Sequence, residues 1–220
     1  SDLLLNAAAD NALQGTVSVS SGANVRLLNA TALTLGAVST SGVVDIATKS
    51  GDLSLTGAVT TTDATGSAIR LTAGGDSGVG VATGGNITIG DSASVSVGTG
   101  GTAVLYTGSI SSSTGLTTLV GSGSGRFRYN STATTSNFTT PIGTGVHAVY
   151  REQPTLTIIA DDKTIEYSGD TTPTVTLAGL QNGDTQTQAL SSNGTVTVGG
   201  TNSTSGKPVV GDHALTMSEA

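Results

Sequence analysis

Asp45 is the acidic residue with basic residues at the matching places of neighbouring repeats, an arrangement that could serve acid–base catalysis. It stands in the phrase VVDI, and the matching place in the phrases NVRL and AIRL holds Arg26 or Arg70. Enzymes that cut polysaccharides need two or three carboxylates converging on one face, often with a Lys or Arg. A single carboxylate between two arginines favours an ion-paired surface ladder instead. We therefore predict no catalytic residue and no enzyme, with a polysaccharide-active enzyme as the alternative.

The two histidines and the glycine-rich phrases offer little to a metal ion or a phosphate. His147 and His213 each lie in an apolar alternating segment, away from any partner that the sequence identifies. The phrase GGDSGVG (74–80) lacks the Lys-Ser/Thr end of a phosphate-binding loop. It also occurs once, whereas calcium-binding nonapeptides recur with a fixed period. We expect no metal ion and no cofactor.

Six asparagines begin an Asn-x-Ser/Thr sequence, which is the acceptor for N-glycosylation. Because close to a third of the chain is Ser or Thr, about three of the ten asparagines would do so by chance, and the excess is modest. The candidate glycosylation sites are Asn29, Asn86, Asn130, Asn137, Asn193 and Asn202.

The composition suits a thin core of small side chains. Gly fills 32 of the 220 positions, aromatic residues make up 3% and charged residues 10%, while 35% of the chain is hydrophobic. The net charge is −7, and only eight Lys and Arg are present, scattered along the chain. Nucleic-acid binding needs clustered basic residues that neutralise phosphates. We therefore predict no nucleic-acid partner, and the acidity favours a soluble monomer.

Two series of four-residue phrases repeat through the first hundred residues. The first is TVSV, ALTL, DLSL and NITI, and the second is DLLL, NVRL, VVDI, AIRL and AVLY. Apolar residues take the second and fourth places, which is the alternation of a strand with one buried face. Members of the second series start 22, 19, 25 and 35 positions apart. Repeats of about twenty residues with two or three strands each predict a parallel β-helix over 1–125.

The alternation assigns each side chain of the repeats to one face. The residues predicted to point inward are Leu3, Leu5, Val17, Val19, Val25, Leu27, Leu33, Leu35, Val44, Ile46, Leu53, Leu55, Ile69, Leu71, Ile87 and Ile89. The third places predict an outer hydroxyl column of Ser18, Thr34, Ser54 and Thr88. They also predict an outer charged column of Arg26, Asp45 and Arg70. The same place in the first and last phrases of that series holds Leu4 and Leu105. The phrase GAV at 36–38 and again at 57–59 marks a third strand.

Two segments depart from the repeat. TAGGDSGVGVATGG (72–85) is a glycine-rich insertion between AIRL and NITI. Further on, an aromatic-rich stretch ends the pattern, and we predict a cap or junction over 126–153 whose last strand is GVHAVY (145–150). Loops on a rigid scaffold commonly carry recognition. The alternative to a stalk is that this segment itself holds a ligand site, in which case 72–85 and 121–153 are the places where the site is expected.

The repeats resemble those of filamentous haemagglutinin-like adhesins, which bacteria export by two-partner secretion. The phrases that carry the resemblance are AIRLTAGG, GGNITIGDSASVSVG and GDLSLTGAVTTT, and it covers about 1–125. The resemblance implies a right-handed parallel β-helix that is carried across the outer membrane by a transporter.

Residues 154–220 resemble the mostly-β, glycine-rich module called MBG, which occurs in tandem in large bacterial surface proteins. The matching elements are an opening strand at 156–160, the Tyr-x-Gly-Asp-x-x-Pro sequence at 167–173 and the Gly-Leu-x-x-Gly-Asp sequence at 179–184. In both of the latter the Gly, Asp and Pro residues are typical of turns and carry no predicted site. The resemblance implies an all-β chain in which a small β-sandwich-like module follows the β-helix.

These observations predict a segment of a large secreted adhesin at the bacterial cell surface or in the extracellular matrix. The β-helix would be a rigid stalk that supports cell adhesion and biofilm aggregation. Its expected partners are an extracellular polysaccharide, or a host-surface glycan or protein. An ice-binding β-solenoid is a further alternative, although its flat Thr-x-Thr face is replaced here by single Ser and Thr residues.

Overall fold

The computed structural model describes residues 1–6, 11–166, 169–170, 172–190 and 195–218. The chain divides into two compact units, residues 1–153 and 154–220. Most of the regular structure in both units is β-strand. In the part of the chain that the structure describes, no helix is long and apolar enough to cross a membrane.

The strands of the first unit follow the repeated phrases. They are β1 (Leu3–Leu5), β2 (Thr16–Gly22), β3 (Val25–Asn29), β4 (Leu33–Thr40), β5 (Val44–Thr48), β6 (Leu53–Leu55), β7 (Ala58–Thr61), β8 (Ile69–Thr72), β9 (Ile87–Ile89), β10 (Ser94–Ser96), β11 (Thr102–Thr107), β12 (Phe127–Arg128) and β13 (Gly145–Tyr150). A short helix, α1 (Leu116–Val120), lies between β11 and β12.

These strands form two parallel sheets. One has seven strands in the order β1-β3-β5-β8-β11-β13-β12, and the other has six, ordered β10-β7-β4-β6-β9 with β2 paired to β4. From β1 to β11 the chain passes back and forth between the two sheets, so strands that are neighbours in a sheet come from successive repeats. The all-β class and the parallel pairing are therefore confirmed.

The core is a stack of aliphatic side chains in register. In the seven-stranded sheet Val25, Val44 and Ile69 are paired in succession, and in the other sheet Leu33 pairs with Leu53, which pairs with Ile87. All of these residues are at most 3% exposed. Each fully buried aliphatic side chain stabilises the fold by about 1.5–3 kcal/mol.

Most residues predicted to point inward do pack in this core, with one exception at its edge. Leu3, Val17, Val19 and Ile89 are partly buried against it. Leu5 was expected inside but is 37% exposed. Because β1 is the end strand of its sheet, Leu5 has a neighbouring strand on one side only.

The hydroxyl column is correct for three of its four predicted members. Thr34, Ser54 and Thr88 are paired in succession, and the Thr88 Oγ1 donates to the Ser54 Oγ at 2.9 Å. The prediction for Ser18 is wrong, because Thr16 is the residue that pairs with Thr34. Val17 pairs with Leu35, so β2 lies two residues away from the alignment that places Ser18 beside Thr34. A shift of two residues keeps every side chain on the same face, so the alternation of TVSV does not reveal it.

The last phrase of the second series is out of register by one residue. Leu105 pairs with Leu71 and is fully buried, while Val104 pairs with Arg70. The outward positions of β11 are therefore Val104 and Tyr106, and Leu105, the third residue of its phrase, does not continue the outer column of Arg26, Asp45 and Arg70. The phrase AVLY has no polar residue to mark its outer face, so the alternation could be started at either place.

The third strand marked by the phrase GAV is present. Val38 pairs with Val59, and Val59 pairs in turn with Val95 of β10. The strand β4 runs without a break through both the ALTL and the GAV phrases. Gly57 lies so close to the neighbouring repeat that a Cβ there would be 2.7 Å from the backbone nitrogen of Ala37.

The predicted junction belongs to the first unit and extends its larger sheet. GVHAVY forms β13, which pairs along its length with β11, and β12 pairs with β13 on its other side. The rings of Phe127 and Tyr129 stack on Tyr150 with centroids 6.4 and 5.7 Å away. Leu116 and Val120 of α1 complete the core at this end.

The second unit consists of two antiparallel hairpins. Its elements are β14 (Thr157–Ala160), β15 (Val175–Ala178), α2 (Gln186–Ala189), β16 (Val196–Val198) and β17 (Leu215–Met217). The strands β14 and β15 pair antiparallel, as do β16 and β17. Among its described residues none is fully buried, so the unit has no packed core of the kind found in the first.

Candidate functional site

The charged column lies on the outer face of the seven-stranded sheet as predicted. Arg26 pairs with Asp45, which pairs with Arg70. The Arg70 Nε and Nη2 donate to the two Asp45 oxygens at 2.8 and 2.5 Å, and an Arg26 Nη1 lies 3.8 Å from the same carboxylate. The hydrogen bond to Asp45 raises the pKa of Arg70. Since both carboxylate oxygens are engaged, Asp45 is poorly placed to act as a free base.

A surface pocket of about 180 Å³ lies beside this column. Its floor consists of outward positions on β5, β8 and β11, and its walls are Gly74, Gly75 and Ser77 on one side and the segment 132–134 on the other. We call it the Tyr106 pocket, and the residues of its floor are Asp45, Ala47, Arg70, Thr72 and Tyr106.

The two segments expected to carry a ligand site therefore meet at one place. The glycine-rich insertion contributes Gly74, Gly75 and Ser77, and the junction contributes Thr132 and Thr134. Sequence alone predicts these segments separately, because nothing in their composition shows that they flank the same sheet face.

Tyr106 is a lining residue that the sequence analysis did not assign to either face. Its position in β11 puts it on the outer face, in the column of Thr72 and Val149. Burial raises the pKa of Tyr106, and the positive charge of Arg70 partly opposes this.

Arg151 fixes the glycine-rich wall of the pocket. It is 2% exposed, and its guanidinium donates to the carbonyl oxygens of Ala73, Val81, Thr83 and Gly85 at 2.5, 3.2, 3.2 and 2.7 Å. Burial lowers the pKa of Arg151. The planar group has five N–H donors and so can hold several carbonyls at once. No sequence signal links Arg151 to a loop some seventy residues earlier.

Thr48 anchors the start of the same wall. Its Oγ1 accepts a hydrogen bond from the Gly74 nitrogen at 3.0 Å, and its carbonyl accepts one from Gly75 at 2.8 Å. Gly74 has φ +65°, and a Cβ there would collide with the carbonyl of Gly84. The insertion thus closes on itself at a position that requires glycine.

The outer face of β13 is covered although it points away from the core. His147 and Val149 occupy outward positions but are 4% and 0% exposed. The junction supplies contacts on this side, since the Thr144 carbonyl bonds the His147 Nε2 at 3.3 Å. Nearby, the Arg128 guanidinium lies 5.6 Å from the ring centroid of Phe138.

Neither histidine is arranged for catalysis or metal binding. Burial lowers the pKa of His147, whose Nδ1 has no hydrogen-bond partner within the described residues. Carbonyl oxygens of Val209 and Gly199 accept from the ring of His213 and raise its pKa. Over the described ranges, no group of three or more His, Asp or Glu side chains could hold a metal ion.

The turn residues of the second unit bond locally. The Asp170 Oδ1 accepts from the Thr172 nitrogen and hydroxyl at 2.9 and 2.7 Å, and Lys163 lies 3.1 Å from its other oxygen. These contacts, with Thr172 first, hold the pKa of Asp170 well below its usual range. Tyr167, in the same predicted turn, lies outside the described residues.

A larger concavity of about 710 Å³ lies within the second unit. Asp161, Lys163 and His213 are among its lining residues. None of the described residues around it is buried, so its side chains are not held by a core. The Tyr106 pocket, with a floor on a seven-stranded sheet, is the better organised candidate.

The candidate glycosylation sites differ sharply in exposure. Asn29 is fully buried and its Nδ2 donates to three carbonyl oxygens, which argues against its modification in the folded chain. Asn86 and Asn130 are partly buried, whereas Asn137 and Asn202 are exposed. Asn193 lies outside the described residues.

Comparison of the chain with protein-family models, with curated proteins and with solved structures found no match.

Proposed function

We propose that this chain is a non-enzymatic segment of a large secreted bacterial surface adhesin, in which the first unit is a stalk wound as a right-handed parallel β-helix. The observation that supports this most is the passage of the chain between two parallel sheets, with each repeat paired in register to the one before. Right-handed crossovers between parallel strands are strongly preferred.

The same pairing supports a mechanical role. Backbone hydrogen bonds link each repeat to its neighbours at a strand spacing of about 4.8 Å, so a pull along the stack loads many bonds together. A rod of this kind can hold a distant binding region away from the cell and support adhesion or biofilm aggregation.

The proposal extends to partners and location. Phrases similar to those of filamentous haemagglutinin-like adhesins support export through an outer-membrane transporter to the cell surface or the extracellular matrix. The two hairpins and the local turn at Asp170 are compatible with an MBG-like module in residues 154–220. The proposed ligand is an extracellular polysaccharide or a host-surface glycan or protein.

Two features favour this role over the alternatives. Asp45, the candidate carboxylate for an enzyme, is held by two arginines. The outer hydroxyl column has Thr34, Ser54 and Thr88 in single file, which is narrower than the paired threonine rows of an ice-binding face.

Single-molecule force spectroscopy on the full chain tests the stalk. We expect stepwise unfolding, with each repeat of about twenty residues adding about 7 nm of contour length. Extension without resolvable force peaks would show that the repeats do not bear load and would contradict the proposal.

A further inference from the structure

We infer that the Tyr106 pocket binds one acidic sugar residue, a pyranose that carries a carboxylate, within an extracellular polysaccharide. This inference rests on the proposed surface function for the source of the ligand. The binding site itself rests on the charges, the shape and the fixed walls of the pocket.

Charge is the first reason. Arg70 and Arg151 line the pocket against the single carboxylate of Asp45, in a chain whose net charge is −7. Arg26 lies on the other side of Asp45, so that carboxylate is neutralised from both flanks. A local positive excess in an acidic protein attracts an anionic group and concentrates it at this face.

Arg70 has donors left for a ligand. Two of its nitrogens bind Asp45, yet a guanidinium carries five N–H groups, and the Arg70 side chain is 50% exposed. Its ion pair with Asp45 also holds the guanidinium in one orientation. A carboxylate, with two oxygens in one plane, matches the planar donors of arginine.

The remaining lining suits a sugar ring better than a bare anion. Tyr106 and Ala47 offer an aromatic and an aliphatic surface to the C–H groups of a pyranose, while Thr72, Ser77 and Thr134 carry hydroxyls for its hydroxyl groups. The volume of about 180 Å³ is below the ~300–1,000 Å³ range of sites for drug-sized ligands, which fits a single ring.

The walls are held in place before any ligand arrives. Arg151 and Thr48 fix the segment that contributes Gly74, Gly75 and Ser77. On the other side, the Thr132 Oγ1 accepts from the nitrogens of Thr134 and Thr135 at 3.2 and 3.0 Å. Fixed walls lower the ordering cost of binding, so even one sugar per site can contribute along a repetitive polymer.

Titration of the isotope-labelled full chain with trigalacturonate, followed by amide and Arg Nε–H NMR shifts, tests the site. We expect saturable shifts centred on Gly75, Ser77, Tyr106 and Thr134, and at least tenfold weaker binding of neutral maltotriose. Arg70→Gln should weaken binding at least tenfold. Arg26→Gln is the matched control, because Arg26 also contacts Asp45 but does not line the pocket. This change should weaken trigalacturonate binding by less than about threefold.

Other ligands separate the competing explanations. Equal binding of triglutamate would show that charge alone is recognised, and tighter binding of a sulfated disaccharide would overturn the preference for a carboxylate. Equal losses in Arg70→Gln and Arg26→Gln would also overturn the pocket as the site. Absence of trigalacturonate binding by the folded chain would reject this inference. The stalk function is tested separately, by force spectroscopy on the same protein.

Discussion

At the scale of single residues, the chain uses its few charged groups to hold neighbouring strands together. Asp45 accepts a bidentate pair from Arg70 and lies within 3.8 Å of Arg26. Arg151 holds the loop 73–85 in place by donating to its backbone carbonyl oxygens. The ion pairs of Asp45 lie at the surface and contribute little to the free energy of unfolding. The hydrogen bonds of Arg151 are buried, and their loss would lower that free energy strongly.

Asp45→Asn should lower the free energy of unfolding by about 0.5–1 kcal/mol, because both arginine partners are half exposed and solvent screens the pair. Urea unfolding measures the change. In 1 M NaCl the difference between the wild type and Asp45→Asn should be smaller, because salt screens the ion pair. Asp91→Asn, in an exposed turn, is the matched control and should have no effect. A loss above about 3 kcal/mol would mean that the pair is effectively buried.

Arg151→Met should destabilise the first unit by about 3 kcal/mol or more, since each buried carbonyl left without a donor costs about 1–3 kcal/mol. Arg151→Lys should recover part of this, because an ammonium has three donors but lacks the planar fork. Hydrogen exchange should show the protection of 73–85 falling first. Unchanged protection in Arg151→Met would contradict the clamp.

Protonation of His147 should destabilise the fold. Burial lowers its pKa below the ordinary value of 6.5, helped by the charges of Arg126 and Arg128. The unfolded chain then binds more protons as pH falls through about 6.5, so the free energy of unfolding decreases towards pH 5. His213 has a raised pKa and acts in the opposite direction.

The comparison that isolates this effect is the pH slope of stability in His147→Gln. Groups other than His147 titrate alike in both proteins, so the variant should lose less stability between pH 7 and pH 5 than the wild type. Parallel slopes would show that His147 does not contribute.

At the scale of strands and loops, a side chain's place in the repeat decides what can be predicted. Arg26, Asp45 and Arg70 each stand between aliphatic residues, so the alternation locates them on the outer face. Where that contrast fails, as in AVLY, or where the pairing moves by two residues and keeps the same faces, as at Ser18, the sequence misleads. Contacts between distant segments, such as Arg151 with 73–85, have no local pattern at all.

The close stacking of repeats predicts unequal effects at two glycines. Gly57→Ala places a Cβ 2.7 Å from the backbone of Ala37 and should cost about 1–3 kcal/mol through forced displacement. The matched change Gly66→Ala meets nothing within 4 Å and should be neutral or slightly stabilising. Thermal unfolding of both variants decides the matter, and equal effects would contradict the stacking at Gly57.

At the scale of the whole molecule, the thin aliphatic core and the repeated in-register pairs give stability without large side chains. This explains how a chain with 3% aromatic residues can fold, since the core Val, Leu and Ile residues of the first unit pair with counterparts in the next repeat. It also links fold to function, because the stacking that buries the core is the stacking that would carry load along a stalk.

The most direct test of this stacking uses pairs of introduced cysteines, in a chain that has none of its own. Thr34→Cys with Ser54→Cys, and Ser54→Cys with Thr88→Cys, place thiols on strands about 4.8 Å apart, within the reach of a disulfide. Thr34→Cys with Thr88→Cys spans two strand spacings, about 9.6 Å, and lies beyond it. We predict that mild oxidation closes both adjacent pairs and leaves the third open. Closure of the third pair at the same rate, or of neither adjacent pair, would contradict it.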